Sequence, residues 1–182
     1  MPYSYPGFAK VVLIQEEAGK RYSLEVELDL AGPDTWLIIQ KNPSKANAGN
    51  SDHTINRVLN YIHKNQDRYP VLSQVGKVVF LNLIPWYETY SNQLIHKGKT
   101  LIDPQNIRTI GKYLSGQNPC IIAWGNPAAG LTQIHESLSR EAWERMRQNE
   151  NPVYHVGSLT RLKFPRHGQI WGYSDPLISI IP

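Results

Sequence analysis

Short, mainly apolar runs recur along this chain, and a helix-like pattern separates most of them. They cover residues 36–39, 75–83, 120–124 and 153–156, and the clearest is Trp-Leu-Ile-Ile at 36–39. A run of this length without alternation is typical of a strand that is buried on both faces. Such strands, alternating with amphipathic helices, predict a parallel sheet with helices on both sides.

The helical patterns have recognisable starting signals. Apolar residues at i, i+3, i+4 and i+7 predict a helix over residues 52–65, and Asp52 suits its N-cap position. Asp103 followed by Pro104 predicts the start of a second helix, because proline is favoured at the first helical position. A third apolar stripe runs through residues 131–146 and predicts another helix.

The remaining segments complete the predicted architecture. Residues 9–14 and 22–28 predict an antiparallel hairpin at the edge of the sheet, since the second segment alternates apolar and polar residues. The stretch 84–101 predicts a long polar connection, and the tail from Gly157 predicts a loop. We therefore predict a single α/β domain over residues 1–182. It is a three-layer αβα fold with a central four-stranded, mostly parallel sheet plus the N-terminal hairpin.

Composition excludes several classes of protein. The chain has 41% hydrophobic and 19% charged residues among 182, which is typical of a globular protein. No apolar run approaches the roughly 20 residues that cross a bilayer, and the N-terminus lacks the apolar segment of a signal peptide. A single cysteine, Cys120, excludes an internal disulfide framework, so we expect a cytoplasmic protein that does not contact membranes.

Common cofactor and metal motifs do not occur in the sequence. It contains no GxxxxGK[ST] phosphate loop, no GxGxxG turn and no GxSxG nucleophile motif. No two of its six histidines have the spacing of a zinc-binding helix, and Cys120 lies within a predicted buried strand. We therefore expect neither a cofactor nor a metal site.

Basic residues concentrate in the loops where a ligand is expected. Parallel-sheet proteins bind ligands beyond the carboxyl ends of their strands. Loops 38–51, 89–102 and 151–174 carry lysines, arginines or histidines and no acid, while loop 125–133 is uncharged. Aromatic residues near them, Trp86 included, could stack on bases. The pattern predicts a nucleic acid or nucleotide as partner, the alternative being ordinary polar, lysine-rich loops.

Several stretches resemble a bacterial family known as domain of unknown function 1643. The most specific part is an Asn-Pro-Ser loop followed by Asp-x-Thr-x-x-Arg. The family usually has a proline after the histidine near its end, where this chain has Gly168. The matching stretches are RYSL from Arg21, KNPSKANAGNSDHTINR from Lys41, FLNLIPWYET from Phe80, IIAWGN from Ile121 and LKFPRH from Leu162.

The order of polar residues at the predicted strand ends also resembles, more remotely, the uracil-DNA glycosylase superfamily. Asn42-Pro43 is similar to the dipeptide that follows the first strand in that superfamily. The resemblance implies that Asn82 reads the edge of an extruded base, and that Trp124-Gly125 ends a third strand. It also implies that His167 stabilises the charge on the departing base. The activity it implies is base-excision N-glycosylase on a fold of that type.

The chemistry of that reaction limits what each candidate residue can do. Cleaving an N-glycosidic bond needs an extruded base, a polar clamp, a stabilised leaving group and a positioned water. Asn42 can orient a water but cannot take its proton, whereas Asp52 could act as the base or simply cap the helix. Asn82 could read a base or tie a strand end. His167 could donate to a base oxygen, contact a phosphate or be solvated, and Arg57 could hold a phosphate or pair with Asp52.

Two other functions remain open from the sequence. One is a non-catalytic nucleic-acid or nucleotide-binding module, and the other is an enzyme acting on a small nucleoside or phosphorylated substrate. The candidate catalytic residues are Asn42, Asp52 and His167; the candidate substrate-binding residues are Pro43, Ser44, Lys45, Arg57, Asn82, Trp86, Gly125, Asn126 and Arg166.

Overall fold

A mixed sheet forms the centre of the fold. In the computed structural model, which describes residues 3–30, 32–88 and 90–180, this sheet has seven strands. They are β1 (Ala9–Glu17), β2 (Lys20–Leu28), β3 (Asp34–Gln40), β4 (Val75–Asn82), β5 (Cys120–Ala123), β6 (Val153–Val156) and β7 (Leu177–Ile180).

The strand order is β1-β2-β4-β3-β5-β6-β7. Strands β4, β3, β5 and β6 are parallel neighbours, and the antiparallel β1–β2 hairpin continues the sheet because β2 pairs with β4. The sheet has one strand more than the four strands and the hairpin that the sequence predicts, and the additional strand is β7. The prediction of a loop throughout the tail from Gly157 was wrong, because β7 pairs antiparallel with β6.

Two of the helices begin at the capping residues that the sequence predicts. Oδ1 of Asp52 accepts hydrogen bonds from the backbone N–H groups of Thr54 and Ile55 at 2.7 and 3.0 Å, and Asp103 caps its helix in the same way. Among the residues described, no helix is long and apolar enough to cross a membrane. The helices are α1 (His53–Asn65), α2 (Pro70–Ser73), α3 (Pro104–Leu114) and α4 (Thr132–Gln148), with 3-10 helical segments at Ser91–Leu101 and Gly168–Ile170. The first of these segments lies within the stretch predicted as a polar connection.

Strand β3 is buried on both faces, and its alternate residues belong to two separate cores. Trp36 and Ile38 pack in a cluster with the apolar residues of α1, whereas Leu37 and Ile39 pack with those of α3 and α4. All four side chains are at most 1% exposed. The alternation follows from the period of two in a strand, and it explains why this run contains no polar residue.

The chain leaves β3 and β5 in opposite directions. After β3 it turns to α1 on one face and enters β4, whereas after β5 it turns to α4 on the other face and enters β6. Because β3 and β5 are neighbours, their connections diverge at the carboxyl ends and open a crevice between them. This is the topological switch point at which open α/β sheets bind ligands.

Helix α1 holds the segment that returns from β6 to β7, residues 157–176, which we call the return segment. The Tyr61 hydroxyl donates to the backbone oxygen of Asp175 at 2.8 Å, and Nδ2 of Asn65 donates to that of Tyr173 at 2.9 Å. The return segment carries His167, so α1 fixes the position of this residue relative to β3.

Candidate functional site

A cleft opens at the carboxyl end of β3, between the loop that leads to α1 and the return segment. Its volume is about 400 Å³, which suits a small ligand or one nucleotide unit. The residues that line it are Tyr3, Gln40, Lys41, Asn42, Pro43, Ser44, Lys45, Asp52, His53, Thr54, Glu88, His167 and Gln169.

The cleft brings together part of the predicted site. Asn42 and His167, which are far apart in the sequence, both line it, as do Pro43, Ser44, Lys45 and Asp52. The other candidates do not line it; they are Arg57, Asn82, Trp86, Gly125, Asn126 and Arg166.

Asp52 joins α1 to the Asn-Pro-Ser loop. Its Oδ1 caps the helix, while its Oδ2 accepts a hydrogen bond from the Ser44 hydroxyl and another from the backbone N–H of Ala46 at 3.1 Å. Four donors therefore surround one carboxylate. This arrangement favours the capping interpretation, because a carboxylate with every oxygen occupied is poorly placed to take a proton from water.

Asn42 is oriented by its own loop. Its Nδ2 donates to the backbone oxygens of Pro43 at 3.1 Å and Glu88 at 2.7 Å. Both amide hydrogens are thereby used, which leaves Oδ1 as the group that can accept a hydrogen bond. The side chain can therefore orient a water or a ligand donor, and it cannot act as a base.

His167 presents a defined tautomer. Its Nδ1 accepts a hydrogen bond from the backbone N–H of Gln169 at 3.2 Å. The pKa of His167 is lowered to about 4, chiefly by burial and also by the positive charge of Lys41, while Asp52 opposes the shift. At neutral pH the ring is therefore neutral, with its hydrogen on Nε2. A neutral ring of this kind can donate one hydrogen bond to a ligand atom in the cleft.

Two glycines hold the His167 turn in place. Gly125 has φ +66°, and a Cβ there would lie 3.0 Å from Cβ of His167. Gly168 packs on α1 so closely that a Cβ would lie 2.7 Å from Cγ2 of Val58. Gly168, which follows His167, therefore lies in a closely packed turn. Gly125 packs against His167 and does not itself line the cleft.

Two amides at the strand ends are buried without hydrogen-bond partners. Gln40 and Asn82 lie opposite each other on parallel strands, so their side chains share one face of the sheet. Within the described residues, Nε2 of Gln40 and both amide atoms of Asn82 contact no partner, although the residues are at most 1% exposed. Gln40 lines the cleft and sequence reasoning missed it; the signal was a polar residue closing an apolar run.

Three predicted residues make other contacts outside the cleft. Nε1 of Trp86 donates to the backbone oxygen of Thr100 at 3.1 Å. The Asn126 amide oxygen accepts from the Thr160 hydroxyl at 2.6 Å. Arg166 forms an ion pair with Asp175 in the return segment, at 2.9 Å between Nη1 and Oδ2.

The predicted pairing of Arg57 with Asp52 was wrong. The guanidinium of Arg57 lies 4.7 Å from the centroid of the Tyr173 ring instead. The described residues contain no ion pair between Arg57 and Asp52, whose oxygens are already occupied.

The cleft contains two acidic residues, whereas the loops expected to form it contain none. Asp52 and Glu88 lie just outside the acid-free windows, and both line the cleft. No group of three or more His, Cys, Asp or Glu side chains within the described ranges could hold a metal ion. Cys120 is buried, and burial raises the pKa of its thiol, so it behaves as a core residue.

The family is shown by sequence comparison. A family model described as a protein of unknown function (DUF1643) matches residues 21–168. The chain belongs to this family. The matched DUF1643 range contains every residue that lines the cleft except Tyr3 and Gln169. No curated protein and no solved structure matches the chain significantly.

Proposed function

We propose that this member of DUF1643 binds a nucleotide unit of nucleic acid in the cleft and acts as a base-excision N-glycosylase on a uracil-DNA-glycosylase-like fold. One observation carries the proposal. The Asn42-Pro43 loop and His167, which come from distant parts of the chain, line one cleft beside the topological switch point. The resemblance described above relates the same two features to the chemistry of base excision.

The reaction assigns one role to each polar group. A water oxygen bonds to C1′ of the sugar while the C1′–N bond breaks and its electron pair stays on the base. Asn42 orients the water through Oδ1, and Nε2–H of His167 donates to the base atom where negative charge develops. Glu88, whose backbone oxygen accepts from Asn42, supplies the carboxylate that takes the proton from the water.

Binding in this scheme uses the basic and amide groups of the cleft. Lys41 and Lys45 line it and can contact phosphates. The amide of Gln40 lines the cleft, its Nε2 has no hydrogen-bond partner in the described residues, and such a donor suits the edge of a base. Affinity for single-stranded DNA should therefore fall steeply as salt concentration rises, because phosphate contacts release counterions.

A panel of oligonucleotides tests the enzymatic half. Each carries one uracil, another deaminated base or a mismatched base, and abasic sites are revealed by alkaline cleavage. We expect product from at least one member of the panel and its loss in His167→Ala. If no oligonucleotide yields an abasic site under any condition, the protein is not a glycosylase.

A non-catalytic binding module is the second candidate. The observation that favours it is the occupation of Asp52 by four donors together with an amide at position 42, an arrangement that weakens the water-activating machinery. In that case DNA binds with the same salt dependence and no product appears. Competition by free nucleosides as effective as that by DNA would instead favour an enzyme on a small substrate.

A further inference from the structure

Lys41 differs from other partly buried lysines of the chain. Lys20 pairs with Asp103 at 2.6 Å, and Lys77 pairs with Glu25 at 3.3 Å. Lys41 is also half-buried, yet in the described part of the chain it forms no ion pair. A half-buried lysine without an acidic partner loses hydration and gains no counter-charge, so its ammonium form is destabilised.

The pKa of Lys41 changes in the direction that this environment implies, because burial lowers it. The positive charge of Lys41 in turn contributes to the lowered pKa of both His135 and His167. A larger fraction of Lys41 is therefore the free amine at neutral pH than for a solvated lysine. The free amine is the nucleophilic form.

We propose that Lys41 is a nucleophile that attacks the sugar after the base has left, which gives the protein a second activity as a lyase at abasic sites. This inference rests on the proposed function, because base excision would leave its substrate in the same cleft. The ring-opened abasic sugar carries an aldehyde at C1′, and an amine forms an imine with an aldehyde. Lys41 lines the cleft directly before Asn42, the residue assigned to position the water.

The lyase step balances without an oxidant, a reductant or a metal ion. The Lys41 nitrogen bonds to C1′ and water leaves, forming a protonated imine. The carboxylate of Glu88, which lines the same cleft, takes a proton from C2′. The C3′–O bond then breaks, and its electron pair leaves with the 3′ phosphate. Water hydrolyses the imine and restores the amine, leaving an unsaturated aldehyde on one DNA fragment and a 5′ phosphate on the other.

Lys45 is the neighbouring lysine in the same cleft and provides a matched comparison. It is exposed, whereas Lys41 is half-buried at the end of β3. An exposed ammonium stays hydrated, which suits a phosphate contact. The two lysines therefore separate charge from nucleophilicity at the same site.

Borohydride trapping tests the proposal on an oligonucleotide with a natural abasic site. Sodium borohydride reduces the imine to a stable amine, so the protein becomes covalently attached to DNA. Lys41→Arg keeps the positive charge and removes the nucleophile. We expect the adduct, normalised to the bound complex, to fall at least about tenfold in Lys41→Arg. In Lys10→Arg, at an exposed position outside the cleft, it should stay within about twofold. A tetrahydrofuran site, which has no aldehyde, should give no adduct.

The outcomes separate this inference from the proposed function. No adduct with the natural abasic site, or an adduct that persists in Lys41→Arg, overturns the lyase. Base release from the lesion panel without an adduct means that only the lyase fails. An adduct without base release supports the lyase and refutes the glycosylase.

Discussion

Two histidines lie near the carboxyl ends of the parallel strands, and their surroundings differ mainly in access. Burial lowers the pKa of both His135 and His167 to about 4, and Lys41 contributes to each shift. His135 is 1% exposed and packs edge-on against the Phe164 ring at 5.1 Å between centroids. His167 lines the cleft instead. A lowered histidine pKa therefore does not locate the site here, because both rings are neutral and only one can be reached by a ligand.

The largest expected effect is on catalysis, when the ring of the accessible histidine, His167, is removed. His167→Ala removes the Nε2–H donor, so the rate of base release that the proposed glycosylase function requires should fall at least about a hundredfold. The free energy of unfolding should change by less than about 1 kcal/mol, because the ring borders an open cleft. Single-turnover base release and urea unfolding measure the two quantities. A rate within about threefold of the parent would exclude His167 from the reaction.

His135→Ala should show the reverse pattern. It empties a closed site in the core beneath α4, so the free energy of unfolding should fall by about 2–4 kcal/mol. The rate of base release per folded molecule should change much less than in His167→Ala. Urea unfolding and active-site-normalised rates at low temperature check both statements. If His135→Ala abolished activity in fully folded protein, access to solvent would not be the distinction between the two rings.

A smaller effect is expected at Gly125, whose close contact positions His167. Gly125→Ala adds a Cβ 3.0 Å from Cβ of His167 at a φ of +66°. We expect a loss of about 1–2 kcal/mol in unfolding free energy and about tenfold in rate, because the histidine is displaced.

Gly98→Ala is the matched control for that change. Its φ is +53°, and a Cβ there would contact nothing within 4 Å. It should therefore lower stability through backbone strain without the loss in rate. Equal rate losses in the two variants would mean that strain, not the contact with His167, lowers activity.

The smallest expected effect is on pH dependence near neutrality. The folded pKa of His135, about 4, lies below the unfolded value of about 6.5. The unfolded state therefore binds more protons between these values, and stability falls as pH drops from about 6.5 towards 4. From pH 7 to 6 the loss for His135 should be under about 1 kcal/mol. Urea midpoints should depend less on pH in His135→Phe than in the parent, and an unchanged dependence would contradict the role of His135.

Much of the fold could be predicted because its signals are local. The apolar run at 36–39 predicts a strand buried on both faces, and Asp52 and Asp103 mark helix starts that the structure confirms. Strand β7 gave no such signal: it has four residues, lies at the sheet edge and is defined by its pairing with β6. A four-residue segment carries too little sequence pattern to indicate which distant strand it pairs with.

In the candidate site, too, residues that are close in sequence could be predicted, whereas residues whose surroundings depend on folding could not. Residues 42–45 and Asp52 line the cleft together because one loop carries them. Arg57 was misjudged because its partner, Tyr173, belongs to the return segment. Gln40 and Lys41 were not selected, since what distinguishes them is burial without a partner, and burial is a property of the folded chain.

The hydrogen bonds between α1 and the return segment have a consequence for protein synthesis. The ribosome makes β3, α1 and the Asn42 loop long before the residues that Tyr61 and Asn65 hold. An incomplete nascent chain can therefore present the first wall of the cleft but not the second. Any activity that needs both walls begins only after translation has passed the return segment.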